Sequence, residues 1–165
     1  MAKKICKYGI DLGTTNSSVA LKYSEEYGEA SKVYVFNVLN ENAPYLPMLL
    51  PSIVGYNKNI EKPIVGHEVK DCKSEKVFKK IKLDILKQNE EDVKYTVGAN
   101  DIYASDILSA LLKFLKRQVE FRGNIPITDG VIMGVPVGAN DNYKYILLKA
   151  LVKAGFYSSL EEAKN

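Results

Sequence analysis

The stretch Tyr8–Leu21, YGIDLGTTNSSVAL, decides how the rest of the chain is interpreted. An apolar segment runs into Asp11, a run of Gly, Thr, Asn and Ser follows, and a second apolar segment begins directly after it. Short apolar and β-branched segments indicate strands, and Gly, Asn and Ser between two such segments indicate a turn. The stretch therefore predicts a β-hairpin with strands over Ile5–Leu12 and Ser17–Tyr23.

The turn of this hairpin has two interpretations. Gly13 carries no side chain, so backbone N–H groups can approach a bound phosphate closely, and Thr14, Thr15 and Asn16 add donors. Asp11 stands where a carboxylate would hold Mg²⁺ through water, because magnesium releases its water reluctantly. The same residue types also form ordinary turns. A phosphate-binding hairpin and a plain hairpin both remain open, whereas a Walker-type loop is excluded because the chain has no GxxxxGK[ST] string.

The order of the predicted elements divides the chain into three parts. A third strand over Lys32–Leu39 completes an antiparallel meander within residues 1–40. Residues 41–100 are rich first in Pro and Asn and then in charged residues, yet they hold too many apolar residues to stay disordered. We expect them to form an inserted subdomain. Residues 101–165 return to the core with a helix, a strand and a helix.

The inserted subdomain is predicted to contain short elements. Strands are expected over Ser52–Tyr56 and Pro63–Gly66, where apolar residues lie between turn-forming residues. A short helix is expected from Glu75 to about Lys87.

The C-terminal part has the clearest periodicity in the chain. Apolar residues at spacings of three and four predict one helix face, capped by Asp101 or Ser105. They are Ala104, Ile107, Leu108, Leu111, Leu112, Leu115 and Val119. A buried strand is expected over Gly130–Val135, and a last helix is expected to begin at Asn140 or Asp141 as its cap.

Composition excludes several classes of protein. The hydrophobic share of 46% and the charged share of 26% are typical of a globular chain. The net charge of +3 is spread along the sequence and no Arg–aromatic interleaving occurs, so no nucleic-acid partner is expected. The two cysteines, Cys6 and Cys72, indicate no disulfide framework. The longest apolar run is interrupted by Pro47 and Pro51, so no membrane association is expected and the predicted location is cytoplasmic.

A set of motifs, taken in order, resembles a known family. The segment YGIDLGTTNSSVA resembles the first phosphate motif of the 70-kilodalton heat-shock chaperone family, within the actin and sugar-kinase ATPase superfamily. Further similar segments follow in the family's order and cover nearly the full chain. They are LLPSIVGYN, PIVGHEVKDC, VFKKIKL, YASDILSALLKFLKRQVE and DGVIMGVPVGANDNYKYILLKALVKAGF.

The resemblance implies an α/β fold with a ribonuclease-H-like core. The chain would be one lobe of an actin-like chaperone ATPase, with residues 41–100 as an inserted α+β subdomain over the nucleotide cleft. It also implies ATP or ADP with Mg²⁺ as cofactors. Asp11 would then hold the magnesium through water. The phosphate contacts would be Gly13, Thr14, Thr15 and Asn16.

The resemblance also implies a catalytic lysine and a switch. Lys79 would reach the γ-phosphate or the attacking water, with Lys80 and Lys82 as alternatives in other registers. Pro136 matches the switch proline of the family. Lys144 stands where the family has the arginine that partners this proline, and lysine lacks the planar fork of arginine.

Other departures from the family keep alternatives open. Gly138 and Ala139 stand where the family usually has two aromatic residues. The family's second lobe and peptide-binding domain have no counterpart in the chain, so both are expected as missing partners of an intact protein, together with co-chaperones. A sugar-kinase or filament-type relative shares the hairpin, and a non-hydrolysing interaction module would keep the fold. A nuclease is disfavoured because Asp11 has no companion carboxylates.

Overall fold

The structure is a computed structural model that describes residues 5–23, 33–36, 49–58, 62–88, 91–122 and 127–164. Within these ranges the fold is mixed α/β, with strands in three sheets and four α-helices. The strands are β1 (Ile5–Leu12), β2 (Asn16–Tyr23), β3 (Val33–Phe36), β4 (Leu50–Pro51), β5 (Val54–Tyr56), β6 (Ile64–Val65), β7 (Lys76–Phe78), β8 (Lys94–Val97), β9 (Asn100–Tyr103) and β10 (Ile127–Met133). The helices are α1 (Ile81–Leu86), α2 (Ala104–Arg122), α3 (Asp141–Lys153) and α4 (Leu160–Lys164), with a 3₁₀ helix over Gly66–Lys70. No helix in the described ranges is long and apolar enough to cross a membrane.

The main sheet has the strand order β10-β1-β2-β3, and β4 also pairs with β2. β1, β2 and β3 form an antiparallel meander, as predicted, although the ends of the predicted third strand lie outside the described residues. β10 pairs with β1 in the parallel direction, with Ile10 opposite Met133. Parallel neighbours require a crossover connection, and α2 lies in the one that leads into β10.

One face of the main sheet is covered and the other is more open. Tyr8, Ile10 and Leu12 alternate along β1 and are all buried. The Tyr8 ring meets the Phe156 ring edge-on, with 5.3 Å between the centroids. Because side chains alternate across a strand, Asp11 points to the opposite face, where it is exposed.

Helix α2 fills the centre of the hydrophobic core. The apolar face predicted from the sequence is buried over its whole length. Both predicted caps are wrong, because Asp101 lies in β9 and pairs with Lys94 at 2.7 Å, and Ser105 lies inside the helix. Asp92 takes their place: its carboxylate accepts hydrogen bonds from the backbone N–H and the hydroxyl of Ser105, at 3.1 and 2.7 Å. Partial burial lowers the pKa of Lys149, but the Asp92 carboxylate, 3.1 Å away, more than offsets this and the pKa is raised.

The middle of the chain departs from the prediction at residues 75–87. The first part of the predicted helix is the strand β7, and only Ile81–Leu86 is helical. Phe78 explains the difference, since its ring packs edge-on against Tyr95 and Tyr56 with centroids 4.9 and 6.1 Å apart. Tertiary packing thus overrides the helix preference of the neighbouring lysines. The hairpin of β8 and β9, which was not predicted, turns at Gly98 with φ +59°.

The last strand also differs from the prediction. β10 ends at Met133, and the expected burial is wrong: Ile132 is 65% exposed and Val135 is 45% exposed. A buried strand is expected over Gly130–Val135, whereas the face that carries Ile132 is open among the described residues. Helix α3 begins as expected, because the Asn140 side chain accepts a hydrogen bond from the Tyr143 N–H at 2.8 Å.

Candidate functional site

The turn between β1 and β2 places the candidate phosphate residues together. The hairpin pairs Asp11 with Ser18 and Leu12 with Ser17, so Gly13, Thr14 and Thr15 form the connection and Asn16 opens β2. Thr15 and Asn16 are exposed, and Thr14 is half-buried. The turn is therefore accessible to a ligand from solvent.

Gly13 is required at this turn by space. A Cβ atom at this position would lie 2.1 Å from the backbone oxygen of Asn16, far inside van der Waals contact. The φ of Gly13 is not in the left-handed region, so its backbone conformation does not explain the need for glycine. The chain closes so tightly here that only a residue without a side chain fits.

Two carbonyl groups beside the turn accept hydrogen bonds from donors within residues 41–100. The Ser52 N–H donates to the Thr15 carbonyl at 2.8 Å. The Lys82 ammonium donates to the Leu12 carbonyl, with Nζ 2.6 Å from the oxygen. Within the parts of the chain that the structure describes, the backbone N–H groups and hydroxyls of Thr14 and Thr15 have no protein partner. The turn thus offers free donors, as an anion requires, while two of the carbonyls beside it are occupied.

Only one of the three candidate lysines contacts the turn within the described ranges. Lys79 is exposed in the connection before α1, and Lys80 is exposed at the N-cap position of that helix. Lys82 lies in the first turn of α1 with its side chain half-buried and its ammonium on the hairpin. The geometry therefore favours Lys82 over Lys79 as the lysine that serves the turn.

The candidate switch residues, Pro136 and Lys144, follow β10 in the chain and bond to different partners. Because β10 runs parallel to β1, its carboxyl end reaches the same edge of the sheet as Asp11. Beyond it, the Pro136 carbonyl accepts a hydrogen bond from the Ala139 N–H at 3.0 Å, and Gly138 takes a φ of +84°. The Lys144 ammonium is 3.1 Å from the Asp141 carboxylate. No hydrogen bond joins Lys144 to Pro136 among the described residues.

Asp11 is the carboxylate that the β1–β2 hairpin offers to a metal ion. No group of three or more His, Cys, Asp or Glu residues that could hold a metal is found in the described ranges. Asp11 alone is compatible with Mg²⁺, which is commonly held by one or two carboxylates, several waters and the phosphates of its substrate. A dedicated all-protein metal cage is not formed by the described residues.

The sequence did not show which residues hold the turn on the buried face of the sheet. Ser17 and Ser52 are buried, and their hydroxyl oxygens are 2.8 Å apart. A polar residue on the covered face of β2, in line with Val19 and Leu21, is a signal that an interaction partner is needed. That partner is separated from Ser17 by 35 positions, so only the structure identifies it.

Taken together, the turn offers backbone N–H groups, two threonine hydroxyls, one ammonium group and one carboxylate at one edge of the sheet. Donors and a cation suit phosphate oxygens, and the carboxylate suits a hydrated divalent cation. Neither the models of known protein families nor the curated proteins compared with the chain match it.

Replacing Gly13 with alanine tests the tight turn. We expect Gly13→Ala to lower the free energy of unfolding by about 1–3 kcal/mol, because the new Cβ collides with the Asn16 carbonyl. Gly9→Ala is the matched control in the adjoining strand β1: its Cβ has no neighbour closer than 4.0 Å, so a change below about 0.5 kcal/mol is expected. The measurement is urea denaturation. Equal effects of the two substitutions would contradict the close approach at Gly13.

The loop after β10 allows a second pair of glycine substitutions. A Cβ at Gly138 or at Gly134 would meet no atom within 4 Å, but only Gly138 has a left-handed φ, +84°. We expect Gly138→Ala to destabilise the fold by about 1–2 kcal/mol through backbone strain alone. Gly134→Ala should be neutral or slightly stabilising. Thermal unfolding of both variants measures the difference, and a neutral Gly138→Ala would argue against the turn at Pro136–Ala139.

Proposed function

We propose that the chain is the N-terminal lobe of a chaperone-type ATPase, related to the 70-kilodalton heat-shock family, and that its β1–β2 turn binds the phosphates of Mg-ATP. One observation carries the proposal. Two carbonyls beside the turn, those of Thr15 and Leu12, accept hydrogen bonds from Ser52 and Lys82, while the donors of Thr14 and Thr15 stay available for an anion. A plain hairpin gives no reason for a lysine 70 positions away to reach its turn.

The strand arrangement supports the fold part of the proposal. An antiparallel meander is followed by a fourth main strand that pairs with the first in the parallel direction and is reached through a helix. This arrangement agrees with the ribonuclease-H-like core that the motif resemblance implies. The inserted strands and α1 then stand beside the turn, where a nucleotide cleft is expected. A cytoplasmic location belongs to the same proposal.

Each residue has a defined part in phosphate binding. The N–H groups and hydroxyls of Thr14 and Thr15 donate to phosphate oxygens. The Lys82 ammonium exchanges the neutral Leu12 carbonyl for a charged phosphate oxygen, which gives the stronger hydrogen bond. Asp11 holds the waters of Mg²⁺, and Mg²⁺ supplies positive charge against the phosphates. Gly13 lets the backbone approach closely.

Hydrolysis would follow from positioning and charge. Attack of water on a γ-phosphoryl group needs little covalent chemistry from the protein, so orientation and electrostatic stabilisation dominate. Lys82 would stabilise negative charge on the transferred group. The proposal includes a second lobe that closes the cleft, because nucleotide sites bury most of their ligand and the described residues supply one wall. A peptide-binding domain and co-chaperones would be the partners of the intact protein.

A second candidate is a module that binds nucleotide without hydrolysing it. Two structural features favour it. Gly138 has a left-handed backbone conformation where the family has an aromatic residue, and Lys144 forms an ion pair with Asp141. Either feature would alter the switch around Pro136 while leaving the phosphate turn intact. Binding and turnover therefore need separate measurements.

Lys82→Met tests which lysine serves the phosphate. In an NMR titration of the chain with Mg-ATP, we expect saturable amide shifts at Thr14 and Thr15 with a Kd of roughly 1 mM, about −4 kcal/mol, because one wall gives weak binding. Lys82→Met should weaken binding about 10-fold through loss of a charge-assisted hydrogen bond. Lys79→Met removes an exposed charge three positions away and is the control, with little effect expected.

Three results of this titration would count against the proposal. Wild-type chain with no response at the turn would contradict phosphate binding. Equal losses for Lys79→Met and Lys82→Met would indicate general attraction by basic charge. A Kd in the micromolar range or below would contradict the single-wall account.

Asp11→Ala tests turnover and separates the two candidates. In the protein with both lobes present, we expect the substitution to reduce ATP hydrolysis at least ~10-fold, because the carboxylate that holds Mg²⁺ is lost and each ~1.4 kcal/mol is a factor of ten. The 165-residue chain alone should show no hydrolysis above background. Phosphate release is the measurement. A wild-type protein that binds Mg-ATP without turnover would establish the non-hydrolysing module, and an unchanged rate for Asp11→Ala would remove the carboxylate from the mechanism.

A further inference from the structure

A pair of buried hydroxyls lies directly beneath the phosphate turn. Ser17 is 1% exposed and Ser52 is 3% exposed, and their Oγ atoms are 2.8 Å apart. Polar groups at such depth are normally retained only when they are hydrogen-bonded. The function proposed above uses neither hydroxyl, so the pair needs its own explanation.

The backbone around Ser52 links the turn to the rest of the inserted segment. β4 pairs with the start of β2, placing Pro51 opposite Asn16 and Leu50 opposite Ser17. The Ser52 N–H then donates to the Thr15 carbonyl at 2.8 Å, and on the other side the Gly66 N–H donates to the carbonyl of Ile53 at 2.9 Å. Backbone hydrogen bonds therefore hold Ser52 to the turn and Ile53 to Gly66. The hydroxyl pair adds a side-chain hydrogen bond at Ser52.

Peptide geometry connects this link to the ligand side of the turn. The C=O of Thr15 and the N–H of Asn16 belong to one planar trans peptide, in which they point in opposite directions. When Ser52 holds the Thr15 carbonyl, the Asn16 N–H points away from Ser52. The orientation of a turn donor is thereby fixed from the covered side of the sheet.

We propose that Ser52, hydrogen-bonded to Ser17, is a positioning residue for phosphate binding, which acts by fixing the Thr15–Asn16 peptide. The inference rests on the proposed function for the identity of the ligand. The serine hydroxyls do not touch the phosphate themselves. They keep the turn in its binding form before the ligand arrives, so that less order must be created on binding.

Three variants of the full chain test this role: Ser52→Ala, Ser17→Ala and the double variant. Ser109→Ala is the matched control, because Ser109 is also a buried serine, 5% exposed, and its hydroxyl bonds the Asp106 carbonyl at 2.8 Å within α2. Stability is measured by urea denaturation. Turn order is measured by hydrogen exchange of the Asn16 and Ser52 amides. Phosphate affinity is measured by NMR titration with Mg-ATP and, separately, with pyrophosphate.

The double variant distinguishes positioning from a merely structural role. Each single variant leaves one buried hydroxyl without its partner, whereas the double variant removes both and should recover much of the stability. If the pair positions the turn, affinity for both probes falls about 3- to 10-fold in all three variants, including the recovered double variant. Ser52 amide exchange should accelerate about 10-fold or more, and Ser109→Ala should change neither quantity.

Different results would contradict the positioning role of Ser52 and the proposed phosphate binding. A double variant with wild-type affinity and wild-type exchange at the turn would overturn the positioning role. A loss of affinity that simply follows stability, including in Ser109→Ala, would overturn it as well. Wild-type chain that responds to neither probe would instead overturn the proposed function, while the exchange rates would still show whether the serine pair orders the turn.

Discussion

The parallel pairing of β10 with β1 is the constraint that organises the molecule. It joins Ile10 to Met133, and strands that run in the same direction need a long connection between them. Helix α2 lies in that connection and buries its apolar face in the shared core. Parallel strands also bring their carboxyl ends to one edge, so Asp11 and the loop that carries Pro136 open on the same side. A crevice at the carboxyl ends of strands is where α/β sheets commonly bind ligands.

Residues 41–100 contribute two donors to this edge of the sheet. The Ser52 N–H and the Lys82 ammonium both bind carbonyls of the hairpin. A neutral hydrogen bond such as that of Ser52 contributes about 1 kcal/mol to stability and a bond from a charged ammonium about 1.5–3 kcal/mol, so they neither build the core nor replace it. Their main effect is to occupy the Thr15 and Leu12 carbonyls, so that the N–H groups of the turn remain free for a ligand. The site thus combines three parts of the chain that are distant in sequence.

Local pattern was sufficient for the elements whose partners lie nearby. The hairpin around Gly13 and the buried face of α2 were predicted because period and turn chemistry are local. Residues 76–78 were mispredicted, since Phe78 packs on aromatic rings from other elements and no local pattern shows this. For the same reason Asp92 was missed as the cap of α2. The reach of Lys82 and the partner of Ser17 depend on long-range geometry, so the sequence indicated the residue types at the site but not their arrangement.

The outer edge of β10 carries a consequence for handling the protein. Among the described residues, β10 pairs with β1 on one side, and no described strand pairs with its other side. The segment VIMGV over residues 131–135 has neither charge nor proline, and Ile132 and Val135 are exposed. Unprotected apolar edges of this kind act as templates on which strands of other molecules add. We therefore expect any self-association in concentrated solution to use this edge, against which a net charge of +3 offers little repulsion.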